Sequence, residues 1–228
     1  MGKDMKRPVA AAIASLGWFA LGLQLYLNVN GAVARGTPIS DAIVIYFSFF
    51  TILTNLLIAL CLTLVAWRPG QEAFWNRPAI QCALALYIIV VAIVYAAVLQ
   101  NLWSPRGLQL VADRLLHDVL PVLYVGYWLV LTPKRATRLT DTLWWQLYPL
   151  VYMAYTLAHG ASTGFYPYPF LNVAKHGYKD VLSNGLLLLV LLLTLGVLLV
   201  ILDRLLGSLE RAGIANPAQL RDRSPTKS

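Results

Sequence analysis

Between Ala42 and Trp67 the chain reads AIVIYFSFFTILTNLLIALCLTLVAW, an apolar run without a single charged residue. Crossing the hydrocarbon core of a bilayer as a helix takes roughly 20 mainly apolar residues, because about 30 Å must be covered at about 1.5 Å per residue. The run meets that requirement. Within it Ser48, Thr51 and Asn55 recur at separations of three and four, which places them on one face of a helix. The stretch therefore predicts a membrane-spanning helix whose polar stripe lines a cavity.

Five more stretches of the same kind lie on either side of it, approximately Pro8 to Asn28, Ala79 to Asn101, Leu108 to Thr132, Leu143 to Ser162 and Asn184 to Asp203. The composition agrees: 59% of the residues are hydrophobic and 12% charged, against about 25% charged in a soluble domain. The fold class expected is all-α, a six-transmembrane-helix bundle over residues 1–207 followed by a polar cytoplasmic tail, 208–228. Lys3, Lys6 and Arg7 give the first stretch a basic start, but its length and the five spans after it read as a retained anchor and not a cleaved signal. Thirteen of the 18 Lys and Arg fall in the N-terminus, the second and fourth loops and the C-terminus. Positive charge is retained on the cytoplasmic side during insertion, so the expectation is N-in and C-in. The net charge of +8 is then a topogenic signal and an attraction to anionic membrane lipids, with no nucleic acid as partner. Cys61 and Cys82 lie within spans, where a thiol acts as a small apolar side chain.

Polar side chains are costly in hydrocarbon, so their depth points to function. Counting up from the cytoplasmic ends, Thr51, His117 and His159 each lie about 24 Å along their helices. The same count brings Gln24 and Tyr95 to that height, giving a polar layer in the outer leaflet. The fifth span adds a stripe of Tyr148, Tyr152, Tyr155, His159 and Ser162. In the fourth span Pro121 has no amide hydrogen for the carbonyl of His117, so a kink is expected there, with the imidazole turned inward.

A threonine hydroxyl becomes a nucleophile when an imidazole takes its proton and later returns one to the leaving group. Thr51 and His117 fit those roles; the blander reading is that Thr51 bonds back to the carbonyl of Phe47 and His117 ties helices together. Asp113, one turn before His117, is placed to orient the ring, while no mid-membrane carboxylate completes an obvious triad. Asn55 and Tyr155 are candidates for polarising a carbonyl or, equally, for joining helices. His117, His159 and His176 with Asp113 or Asp180 are a weaker alternative as zinc ligands, lacking a closely spaced motif. No metal or cofactor is expected.

The run from Tyr46 to Leu56 resembles the second-helix motif of six-pass bacterial membrane proteins related to the eukaryotic androgen-induced-gene hydrolases. Tyr148-Pro149, Gly160, the segment Tyr166-Pro167-Tyr168-Pro169-Phe170-Leu171-Asn172 and Gly177-Tyr178 are similar to that family as well. The resemblance implies an intramembrane threonine hydrolase of the bacterial cytoplasmic membrane, cleaving lipid esters such as fatty acid esters of hydroxy fatty acids. It implies Thr51 as nucleophile and His117 as base, with Thr54 in the same motif as the alternative nucleophile. Asn55, Tyr155, His159, Ser48, Gln24 and Tyr95 are then expected to bind substrate or polarise it, under a cap formed by Tyr166 to Phe170. A membrane transporter or a noncatalytic lipid-binding protein is the competing expectation.

Overall fold

The structure is a computed structural model describing residues 2–67 and 74–215; of the charges counted above, Arg68, Arg221, Arg223 and Lys227 lie outside the described residues, as does the tail from 216 to 228. All described regular structure is helical. Helix α1 runs Gly2–Ala34; α2 and α3 are Ile39–Phe47 and Phe50–Trp67; α4 is Pro78–Val94, continued by a π turn, Tyr95–Leu99. Helices α5, Leu108–Arg114, and α6, Leu120–Leu131, are joined through a second π turn, Leu115–Val119. A short α7, Asp141–Trp144, precedes α8, Leu147–Thr163, and the chain ends in α9, Val173–Ala215, kinked where Gly177 takes a φ of 74°.

Among the described residues five helical stretches are long and apolar enough to cross a bilayer: Met5–Ala34, Phe50–Trp67, Pro78–Leu102, Leu108–Leu131 and Val173–Leu209. The expected fifth span does not form one such helix. The chain turns at Trp145 and Gln146, and the 17 residues of α8 extend about 25 Å at the helical rise. Helix α9 also runs on through Gly207 to Ala215, past the expected start of the polar tail.

The bundle is held by close approach of small residues and by a central aromatic core. Ala10, Ala14 and Ala20 are buried along α1, and a Cβ at Gly17 would stand 3.4 Å from that of Ala59 on α3. Small side chains let two backbones pack closely where hydrocarbon supplies no hydrophobic drive between helices. Tyr124 and Trp128 of α6 are fully buried at the centre. Much of α9, including Leu186, Leu187, Leu198 and Leu205, is more than half exposed, as suits a helix turned toward lipid.

The connections hold one end of the bundle together. Arg7 Nε donates to the carbonyl of Ala66 at 3.0 Å, joining the start of α1 to the end of α3. Thr132 Oγ1 donates to Gln81 Oε1 at 2.8 Å, and Gln81 Nε2 to the carbonyl of Trp75 at 3.2 Å. The carboxylate of Asp203, buried on α9, accepts from the amides of Ala136 and Thr137 and from Thr137 Oγ1. Among the described residues the start of α1 with Arg7, the end of α3, the connection from Thr132 to Thr137 and α9 at Asp203 thus meet at a single end, and a polar cavity lies toward the other.

Candidate functional site

Helix α2 stops at Phe47 and α3 begins at Phe50, so the helix expected to run unbroken from Ala42 is interrupted at Ser48 and Phe49. An open backbone is tolerated within a membrane only where protein or water satisfies it. Here tyrosines from distant segments do so. Tyr152 Oη donates to the carbonyl of Ser48 at 2.9 Å, and the amide of Thr51 donates to Tyr168 Oη at 3.4 Å. Ser48 Oγ bonds back to the carbonyl of Val44 at 2.8 Å. Ser48 and Thr51 therefore do not share one helical face. Thr51 instead occupies the first turn of α3, where unpaired amides and the positive end of the helix dipole point outward from the helix. Its Oγ1 lies 3.5 Å from Tyr168 Oη.

His117 sits in the second π turn. Its Nδ1 is 3.0 Å from the carbonyl of Asp113 and 3.2 Å from Asp113 Oδ1. Asp113 is buried, and its other carboxylate oxygen accepts a short hydrogen bond from Tyr95 Oη. The rings of Tyr95 and His117 stack, centroids 4.0 Å apart and 15° from parallel. A carboxylate therefore stands against the imidazole within the bundle, and it is that of Asp113, the residue that the sequence places to orient the ring. The spacing of four residues from Asp113 to His117 was its signal.

The expected kink also takes a different form. In the π register the carbonyl of Leu116 would receive its bond from residue 121, and a proline there has no hydrogen to give. Asn55 Nδ2 takes that place, donating to Leu116 O at 3.3 Å and to Thr51 O at 2.9 Å. The acceptor that Asn55 satisfies is thus the carbonyl of Leu116. Asn55 is a buried tie between α3 and the π turn.

Thr51 and His117 line one cavity of about 400 Å³, together with Gln24, Tyr95, Asp113 and Tyr168. Gln109 and Asn28 complete a chain of amides there: Gln109 Nε2 donates to Gln24 Oε1, and Gln24 Nε2 to Asn28 Oδ1, both at 2.9 Å. No hydrogen bond joins Thr51 to His117 directly. The cap residues Pro167, Tyr168 and Pro169 reach into the same space. Tyr166 holds that segment down by lying on Gly160 of α8, where an added Cβ would come within 2.1 Å of its ring.

Five of the residues singled out in the sequence as candidates for the site stand apart from this cavity. Asn55 and Ser48 are buried behind it. Tyr155 is 41% exposed, its Oη 3.2 Å from Ser48 Oγ, and His159 stacks on its ring. Counting residues gives height in the bilayer and not the side of the bundle, so His159 shares a level with His117 without sharing its space. Thr54 is fully buried with Oγ1 3.1 Å from Tyr148 Oη, outside the cavity. Among the described residues no group of three or more His, Cys, Asp or Glu is gathered as metal ligands are. Asn28 and Gln109 are members that the sequence did not single out, while Tyr168 was expected only as part of the cap and Asp113 only as the group that orients the His117 ring.

No family model matches the chain, and neither a curated protein nor a solved structure does.

Proposed function

We propose that this protein is an intramembrane hydrolase that cleaves lipid esters with Thr51 as nucleophile and His117 as general base. The observation that supports this reading is the shared cavity, in which His117 Nδ1 is engaged by Asp113 and Nε2 is left to exchange protons. Thr51 Oγ would add to the ester carbonyl while its proton passes to Nε2. Collapse of the tetrahedral adduct breaks the bond to the alcohol oxygen, which leaves with that proton. Water then adds to the acyl-threonine, giving its proton to Nε2; the carboxylic acid departs and the proton returns to Thr51. Tyr168 Oη, close to both the amide and the hydroxyl of Thr51, is a donor for the carbonyl oxygen as charge develops on it.

The same reading takes the chain to cross the bacterial cytoplasmic membrane six times, α7 and α8 together making the fifth crossing, with both termini on the cytoplasmic side. Among the described residues, the gathering of the Arg7 end of α1 and of the connection that carries Lys134 and Arg135 at one end supports that orientation. The catalytic cavity then lies in the outer half of the membrane, open to lipid substrates and to water.

Purified protein in nanodiscs should release alcohol and fatty acid from a lipid ester. Thr51→Ala and His117→Ala should each abolish release while the protein stays folded. Retained turnover in either variant would refute the dyad, and counterflow of a solute without hydrolysis would favour a transporter.

A further inference from the structure

Thr51, Leu99 and Tyr168 each line two spaces at once. One is the polar cavity; the other, of about 250 Å³, is a groove between α4, α8 and α9 walled by side chains such as Val91, Met153, Leu186 and Leu189. Tyr168 stands between them. Its ring stacks on Phe170 at 5.4 Å, meets Phe49 edge-on at 5.8 Å, and brings its hydroxyl to Thr51. The nucleophile is therefore at the junction of two chemically unlike compartments.

The groove suits hydrocarbon. Leu182 and Leu186 on its wall are more than half exposed on the side of α9 that faces lipid, so an alkyl chain enters it from the bilayer without meeting water. The cavity suits hydroxyl groups, because the amides of Gln24, Asn28 and Gln109 present both donors and acceptors. Its one charged wall residue outside the histidine is the carboxylate of Asp113, and among the described residues no Lys or Arg lines either compartment. A second anion placed there would lose its hydration beside a like charge with no cation in return. Arg35 lines an adjoining pocket beyond Asn28 and Gln109, and is exposed to solvent, where its charge is screened.

We infer that the substrate is an ester of one fatty acyl chain with an uncharged, hydroxyl-bearing alcohol, bound across Tyr168 with its acyl chain in the groove and its alcohol in the polar cavity. This inference rests on the hydrolase reading and gives it a direction. The acyl group stays on the lipid side when it is transferred to Thr51, and the alcohol leaves through the polar cavity, by which water then arrives. Esters whose alcohol portion carries a carboxylate or phosphate are poor substrates, including those that the family resemblance suggests.

The test uses the full-length protein in phosphatidylcholine nanodiscs and two non-hydrolysable ethers of equal chain length, a 1-O-alkylglycerol and an O-alkyl hydroxy acid, each with a diazirine at the chain terminus. The glycerol ether should bind about tenfold more tightly or better, and irradiation should label Val91, Met153, Leu186 or Leu189. Tyr168→Trp, which fills the junction, should remove that labelling, whereas Arg35→Gln should leave the preference between the two ethers as it was. Labelling of Trp103 or Gln109 by the chain terminus would overturn the orientation, and equal or tighter binding of the acidic ether would overturn the substrate class. Because neither ether is turned over, groove labelling in a protein that hydrolyses no ester would support the binding mode and remove only the catalytic reading; hydrolysis with cavity labelling would do the reverse.

Discussion

Asp113→Asn isolates the part of the site on which the imidazole depends. The carboxylate contacts His117 at 3.2 Å and Tyr95 through its second oxygen. An asparagine keeps the volume but carries a single acceptor oxygen, so one of the two contacts must face an amide NH2. If that group turns toward His117, it sets a donor against Nδ1, whose hydrogen only the Asp113 carbonyl at 3.0 Å then holds, and in the fraction where Nδ1 becomes the acceptor the proton moves to Nε2, the nitrogen needed as base. Asp113 acts on the reaction only through His117, so the loss is bounded by what general-base catalysis contributes, about 10² to 10⁴-fold, or roughly 3 to 5 kcal/mol at 1.36 kcal/mol per tenfold. The fall should appear in kcat for hydrolysis of a neutral long-chain monoester, with KM changed little, in protein whose melting shows it folded. In a His117→Ala background the same substitution should cost nothing further, since two residues acting as one unit are not additive. A wild-type rate in Asp113→Asn, or an equal loss in both backgrounds, would show that Asp113 does not position the base.

Two further substitutions probe the scaffold. Gly160→Ala would drive a Cβ into the Tyr166 ring; overpacking of this kind costs about 1–3 kcal/mol, and displacement of the cap should draw Tyr168 from Thr51, so the melting temperature and the hydrolysis rate should fall together. Unchanged values for both would mean that the cap is not held at Gly160. Asn55→Leu removes the donor to Leu116 O and leaves that carbonyl unsatisfied, a cost of about 1–3 kcal/mol, partly offset because Asn55 Oδ1 itself has no partner in the fold. A net loss of stability is expected in thermal unfolding, and a gain would refute the role given to Asn55 in bridging the π turn.

The apolar runs carried most of the architecture on their own. Length and hydrophobicity are local properties, and the stretches around Pro8, Ala79, Leu108 and Asn184 each correspond to a long helix. The break at Ser48 and Phe49 is of another kind. Neither a proline nor a glycine marks it, and the groups that make it tolerable, Tyr152 and Tyr168, lie more than a hundred residues further along the chain. Such compensation belongs to tertiary packing and leaves no local pattern. The same holds for the site. Depth counting brought Gln24, Thr51, Tyr95 and His117 to one level, and they do line one cavity. Height also admitted His159, and the stripe on the fifth span admitted Tyr155, both of which the helix packing sends to a different side; height gave no reason to include Tyr168, whose cap segment descends from a loop. Asp113 was visible as a neighbour on the same helix face, but its burial against Tyr95 required the position of α4.

The most direct measurement is covalent capture of the nucleophile. Purified protein in nanodiscs would be treated with a fluorophosphonate probe bearing a long alkyl chain and the modified residue mapped by mass spectrometry. The predicted adduct is on Thr51 Oγ, formed more slowly in His117→Ala and absent from Thr51→Ala. An adduct on Thr54 or any other residue, or labelling that survives the loss of Thr51, would contradict the hydrolase reading at its centre.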